Sequence, residues 1–295
     1  MSLGKIALVL VSLSTLLPST SWGEGPLTRT YTKDSTFKYK MISSHVDQDK
    51  LSVHTAISHH VVKEQDGAFY EEIRWTDLTV NGEPVDLSAH KDHRQYLSLD
   101  PNYTWPQTDL SVPRELHAPI LDLLTFYADL LPSIHQNKLI KAGDQLYQEG
   151  VGDTKTGSWA DGKIVLIGED ALDFDLRLLQ VEPESATLLV KHVSPKKRYI
   201  QTPADWMKES VTPDVENNWA QVVKVPGETP IFVARVGHET FDVTIKVDDK
   251  GRILTVLMDN PVRIRQKICS DSELSKCFVD QRFTNSRFIS IEPVN

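Results

Sequence analysis

The sequence predicts a mainly β protein: a large antiparallel, curled, half-barrel-like sheet packed on one long α-helix. Three observations predict it. Period-two alternation of apolar and polar residues recurs through most of the chain, the pattern of strands with one wet face. One segment, residues 118–135, switches to helical spacing. One strand-like run, residues 68–80, changes phase by one residue partway along, which is what a bulge produces, and bulges bend sheets.

The amino terminus, MSLGKIALVLVSLSTLLPSTSWGEG, reads as a secretory leader, because Lys5 precedes an apolar run from Ile6 to Leu17. That run is shorter than the ~20 residues a membrane-spanning helix needs and suits a leader's core. Ser21 and Gly23 are the small residues that set cleavage after Gly23. The expected organisation is a signal peptide over 1–23 and one β-rich domain over 24–295, open to division into two lobes either side of the helix at 118–135. No later stretch reaches transmembrane length.

In the run AFYEEIRWTDLTV, the apolar positions are Phe69, Ile73 and Trp75, then Leu78 and Val80. A bulge, or a kink between two short strands, accounts for the change of parity. Asn81-Gly82 after it signals a tight turn. The helical segment, APILDLLTFYADLLPSIH, repeats apolar residues at Ile120, Leu123, Leu124, Tyr127, Leu130 (or Leu131) and Ile134. Pro119 suits a first turn, Asp122 suits the positive end of the helix dipole, and Pro132 is expected to kink or end the helix. Further on, Phe174, Leu176 and Leu178 alternate with polar residues, and so do Phe241, Val243, Ile245 and Val247. Asp248–Gly251 reads as another tight turn. Residues 195–218 form the longest irregular stretch.

The two cysteines, Cys269 and Cys277, have seven residues between them, flanked by strand-like segments on both sides. In an exported protein two thiols this close are expected to pair. No C-x2-C redox motif is present, and a zinc site would need two more ligands at short spacing. A disulfide would then staple a hairpin, worth about 2.5 kcal/mol in the chain-entropy model. Between them Ser270 and Glu273 stand at capping-box spacing, which suggests one helical turn.

Cleaving the leader takes Lys5 from the 32 basic residues and nothing from the 41 acidic ones, so the net charge becomes about −10. Such a surface argues against nucleic acid and anionic membrane as main partners. The basic run at 195–198 reads as a solvated loop.

The patterns that could carry chemistry are weak. Gly157, Gly162 and Lys163 have phosphate-loop spacing, but Ile164 stands where a hydroxyl must bind magnesium. Ser-x-x-Lys occurs at Ser194/Lys197 and at Ser35/Lys38 without its companion motifs. His90, Asp92 and His93 could hold a metal only with a ligand from elsewhere. His59 and His60, adjacent on a strand, face opposite ways, while His54 shares the parity of His60. Glu71 with Glu72, Asp173 with Asp175 and Asp248 with Asp249 are paired carboxylates, each also explained by a solvated face. The candidate ligand-binding residues are Tyr103 and Trp105, in a proline-bounded segment before the helix, and Phe126 and Tyr127 upon it. They are placed to line an apolar cavity or to fill the core.

The expectation is an exported (periplasmic or extracellular), soluble, non-enzymatic binding protein that needs no cofactor or metal. It would hold a lipid, another apolar small molecule or a partner protein's peptide between helix and sheet. The alternatives are a secreted hydrolase, metal- or carboxylate-dependent, and a structural envelope protein. At the level of fold alone, a large antiparallel sheet curled over one helix resembles the bacterial carriers that hold the lipid groups of lipoproteins. That resemblance transfers no residue.

Overall fold

A computed structural model describes residues 25–47, 50–136, 138–149, 165–167, 173–193 and 202–294. The leader at 1–23, the Gly157–Lys163 pattern and the basic run at 195–198 lie outside the described residues. An irregular segment leads into β1 (Thr36–Asp47), β2 (Lys50–Gln65), β3 (Ala68–Val80), β4 (Glu83–Pro84) and β5 (Gln95–Leu97). The helix α1 (Arg114–Gln136) follows, and then β6 (Gln145–Gln148), β7 (Val165–Ile167), β8 (Asp173–Glu182) and β9 (Ser185–Val193). The chain closes with β10 (Trp219–Val225), β11 (Ile231–Glu239), β12 (Phe241–Asp248), β13 (Ile253–Cys269) and β14 (Cys277–Val294). Among the described residues α1 is the only α-helix, and none is long and apolar enough to cross a membrane.

All strands pair antiparallel in one 14-stranded sheet with the main order β4-β3-β2-β1-β14-β13-β12-β9-β8-β6. The sheet is open, since β4 and β6 at its two ends do not pair with each other. It forks at β13. The first half of β13 pairs with β12, and the second half pairs with β11, which carries β10 and then β7. Pro261 sits at the fork, where a residue without N–H interrupts the ladder, and its carbonyl accepts from Thr240 N at 3.1 Å. Gly237 of β11 crosses there so closely that a Cβ would lie 2.2 Å from the Arg263 carbonyl oxygen.

The phase change in β3 is a bulge. Ile57 pairs with Asp77 and Ser58 with Trp75, which leaves Thr76 without a partner. Before the bulge Glu71, Ile73 and Trp75 face inward, and after it Leu78 does. Asn81 and Gly82 both have positive φ, 52° and 87°, as a two-residue hairpin turn requires. The Asp248–Gly251 turn closes with Gly251 N donating to Asp248 O at 3.0 Å.

The helix is longer than its sequence signals, beginning at Arg114 and continuing through Pro132 to Gln136. Pro119 therefore stands inside it and cannot donate to the Glu115 carbonyl, against which the His54 imidazole sits. An interior proline costs about 3 kcal/mol. Burial of most of the helix, including Ile120, Leu123, Phe126 and Leu130 at 0 % exposure, outweighs that local cost.

The apolar interior falls into two clusters. The larger joins α1 to the inner faces of β1–β3, β8, β9 and β12–β14. The smaller lies on β10 and β11, under Met207 and Trp206, and includes Cys269. Cys269 and Cys277 are bonded and staple the ends of β13 and β14. The turn between them is not the expected helical turn. Asp271, not Ser270, organises it, accepting from Ser275 N and Lys276 N, while Leu274 adopts φ +55° and buries.

Candidate functional site

Strand parity brings ionisable side chains into the apolar interior. Glu71 shares the inward parity of Ile73 and Trp75 on β3, and His60 shares that of Ala56, Ser58 and Val62 on β2. Both are 0 % exposed. His60 Nδ1 lies 2.9 Å from Glu71 Oε2, and Ser58 Oγ lies 2.9 Å from His60 Nε2. Arg29, from the segment ahead of β1, donates from Nη2 to Glu71 Oε1 at 3.1 Å. Tyr127 reaches down from α1 and donates its hydroxyl to Glu71 Oε2. Phe37 stacks on the His60 ring at 4.8 Å, and Arg29 lies 4.7 Å over the ring of Tyr31.

Burial pushes the Glu71 carboxyl up, but the His60 hydrogen bond, the Arg29 charge and the Tyr127 hydroxyl together hold it below its ordinary value. Burial opposes the Arg29 charge, yet Glu71 holds its pKa above the usual range. The phenols of Tyr39 and Tyr127 are pushed well up by burial and by the Glu71 charge. The cluster is thus an ionised carboxylate neutralised by arginine, with neutral phenols around it.

Ser58, His60 and Glu71 stand in the order of a nucleophile, a base and an orienting acid. Ser58 is 2 % exposed, however, and Glu71 is already taken by Arg29 and Tyr127. In this closed arrangement no reacting carbonyl reaches the serine, and the network joins the amino-terminal segment, two strands and the helix.

Two further carboxylates of α1 reach side chains of the sheet. Arg287 of β14 donates to Asp122. Burial lifts the Asp122 carboxyl to about 6 against the pull of Arg287. Further along the helix, Asp129 Oδ1 lies 3.0 Å from His192 Nε2 on β9, and the His192 ring packs on Phe241 and Phe174. Asp129 Oδ2 is buried without a hydrogen-bond partner among the described residues.

Of the four sequence-chosen ligand residues, Phe126 and Tyr127 lie in the larger core, at 0 % and 2 % exposure. Trp105 packs against the same core and donates its indole N–H to Ser98 O at 2.9 Å. Tyr103 is not part of that core and stacks on Tyr70 at 5.0 Å. The recess where α1 meets β5 holds about 20 Å³, room for about one water. A larger groove of about 490 Å³ opens between β3 and residues 84–91, lined by Arg74, Thr76, Leu78, Val85, Leu87 and Lys91. Among the described residues no group of three His, Cys, Asp or Glu is placed to hold a metal. His93 instead bonds the Asp109 carbonyl oxygen at 3.0 Å. Asp175 pairs with Arg177, while Asp173 turns inward to the Tyr147 hydroxyl.

Sequence reasoning did not bring Glu71, His60, Ser58 and Arg29 together. The available signal was parity: a carboxylate on the face shared by Ile73 and Trp75 must bury, and a buried carboxylate requires partners. No protein-family model matches the chain, and no curated protein matches it.

Proposed function

We propose that this is an exported, non-enzymatic binding protein that receives an apolar chain, such as a lipid, between α1 and a sheet curled around it. One observation carries the reading. The helix and the sheet enclose a single continuous apolar cluster, while the carboxylate contacts that fasten α1 across it are discrete: among the described residues, Tyr127–Glu71, Asp122–Arg287 and Asp129–His192. Lifting the helix would break those contacts and open apolar surface to a ligand. A buried ion pair such as Asp122–Arg287 adds little net stability over apolar packing, so its use here suits a closure that opens.

Curling is supported by the same contacts. Tyr127 and Asp129 are two residues apart, about 3 Å along a helix axis, yet they reach β3 and β9. Those strands are six spacings apart in the sheet order, about 29 Å if the sheet were flat. A sheet wrapped around the helix accommodates both contacts. Under this reading Phe126 and Tyr127 form the closed floor that a ligand would displace. Export rests on the leader sequence and on the disulfide, a bond that persists in oxidising compartments.

The test is native mass spectrometry of protein purified from its own host, together with uptake of a fluorescent fatty acid. Co-purified lipid and saturable uptake are expected; absence of both defeats the carrier reading. The order Ser58–His60–Glu71 favours one second reading, a hydrolase whose interior opens on its substrate. A fluorophosphonate probe would label Ser58 in that case, and no labelling is the outcome expected here.

A further inference from the structure

The two ends of the main strand order are blunted, because β4 is two residues long and β6 four. The first half of β14 is different. β1 covers the outer edge of that strand only from Ser286 onward. From Cys277 to Asn285 that edge has no strand partner among the described residues, while the inner edge pairs with β13. An edge of this length offers unpaired N–H and C=O groups to another strand. Beside it Phe278 is 64 % exposed. Gln281 and Arg282 are exposed too, and Arg282 has no ion-pair partner among the described residues.

We propose that the protein forms a two-fold dimer in which residues 278–284 of β14 pair antiparallel with the same residues of a second copy. The sequence of this edge selects both the occupant and the register. A residue whose N–H and C=O point outward can pair only with another that points outward, so the two-fold axis must pass through a residue. An axis at Asp280 would set aspartate against aspartate, and an axis at Arg282 would set arginine against arginine, each a like pair directly opposite. An axis at Gln281 sets Asp280 against Arg282 of the second copy, twice. It also sets Val279 against Phe283 twice, and β-branched–aromatic pairs are favourable across strands. Asp280 stays available for this pairing although it already accepts from Arg265 at 2.8 Å and lies 3.4 Å from Lys267, because 45 % of its side chain is exposed.

Sedimentation velocity of the purified chain over a concentration series tests the proposal. A monomer–dimer equilibrium is expected, weakened by added salt. Arg282→Asp should abolish the dimer, since two aspartates then face each other across the interface. Asp280→Arg should do the same through two facing arginines. Mixing the two variants should restore a dimer, because one copy then carries only acidic side chains at positions 280 and 282 and the other only basic ones. Gln281→Cys should cross-link into a disulfide dimer on mild oxidation, because the two copies of this residue face each other at the axis. Retention of the wild-type circular dichroism by Arg282→Asp separates loss of pairing from loss of fold. A wild type that stays monomeric at its solubility limit, or a dimer that survives Arg282→Asp, overturns the proposal.

Discussion

Glu71→Gln changes one oxygen for nitrogen and keeps the side chain's volume, so it removes the charge and one of the two acceptors with little change in packing. In the wild type Arg29 Nη2 lies 3.1 Å from Glu71 Oε1, with the two side chains 6 % and 1 % exposed. At that separation the attraction is about 5 kcal/mol for an effective dielectric of about 20. The substitution leaves the guanidinium buried without a counter-charge, and breaking a buried pair in this way costs about 3–5 kcal/mol. Tyr127→Phe removes only one hydrogen bond to the same carboxylate and should cost about 1.5–3 kcal/mol. Arg29→Met combined with Glu71→Gln removes both charges. Its loss should fall short of the sum of the single losses by about 2 kcal/mol, within the coupling range of contacting residues. Urea denaturation followed by tryptophan fluorescence reads the wild type and every variant. Glu71→Gln within about 1 kcal/mol of wild type, a typical loss for any point substitution, or strict additivity in the double variant, would refute the view that an ionised pair holds this part of the interior.

Burial lifts Asp122 to about 6, above the ~3.9 of an unfolded chain, so the folded state binds the extra proton between those values. Relative to Asp122→Asn, the wild type should therefore gain stability as pH falls from about 7 to about 4, by at most about 3 kcal/mol; a pH-independent difference would contradict this. Glu71 acts with the opposite sign. Its pKa is held below the ordinary value, so its contribution is present above the unfolded pKa and is lost as pH falls through the folded one. Phe126→Ala should cost about 3–5 kcal/mol in the same denaturation assay, as for other fully buried aromatics. Thiol titration of the denatured, unreduced protein should find no free thiol, and Cys269→Ser with Cys277→Ser should lower stability by about 2–3 kcal/mol. Gly237→Ala drives a Cβ to 2.2 Å from the Arg263 carbonyl oxygen. It should cost about 1–3 kcal/mol or more, the penalty of overpacking.

Much of the architecture was legible in short windows of sequence. The alternation at Phe241–Asp248 coincides with β12 residue for residue, and the change of parity in Ala68–Val80 is the bulge at Thr76. Asn81-Gly82 and Asp248–Gly251 make the turns their residue types require. The two cysteines are bonded. These features depend on which way successive side chains point and on the φ angles a residue tolerates, both set within a few residues.

The helix extends beyond its sequence signals at both ends because Pro119 and Pro132 carry a local cost that only burial of the finished helix outweighs. Leu274 caps its turn by burying under Trp206, 68 residues away in sequence, which no local capping pattern reveals.

By itself, then, the sequence determined several of the strands, the change of parity within β3, the tight turns, the presence of one amphipathic helix and the proximity of Cys269 to Cys277. Tertiary structure alone decided that Arg29 meets Glu71 across 42 residues and that Arg287 meets Asp122 across 165. It also decided that β11 and β12, consecutive in the chain, share β13 as partner. The division is physical. Alternation reports only that a face is buried, whereas the identity of what buries it depends on strand order, and strand order is a property of the whole chain's packing.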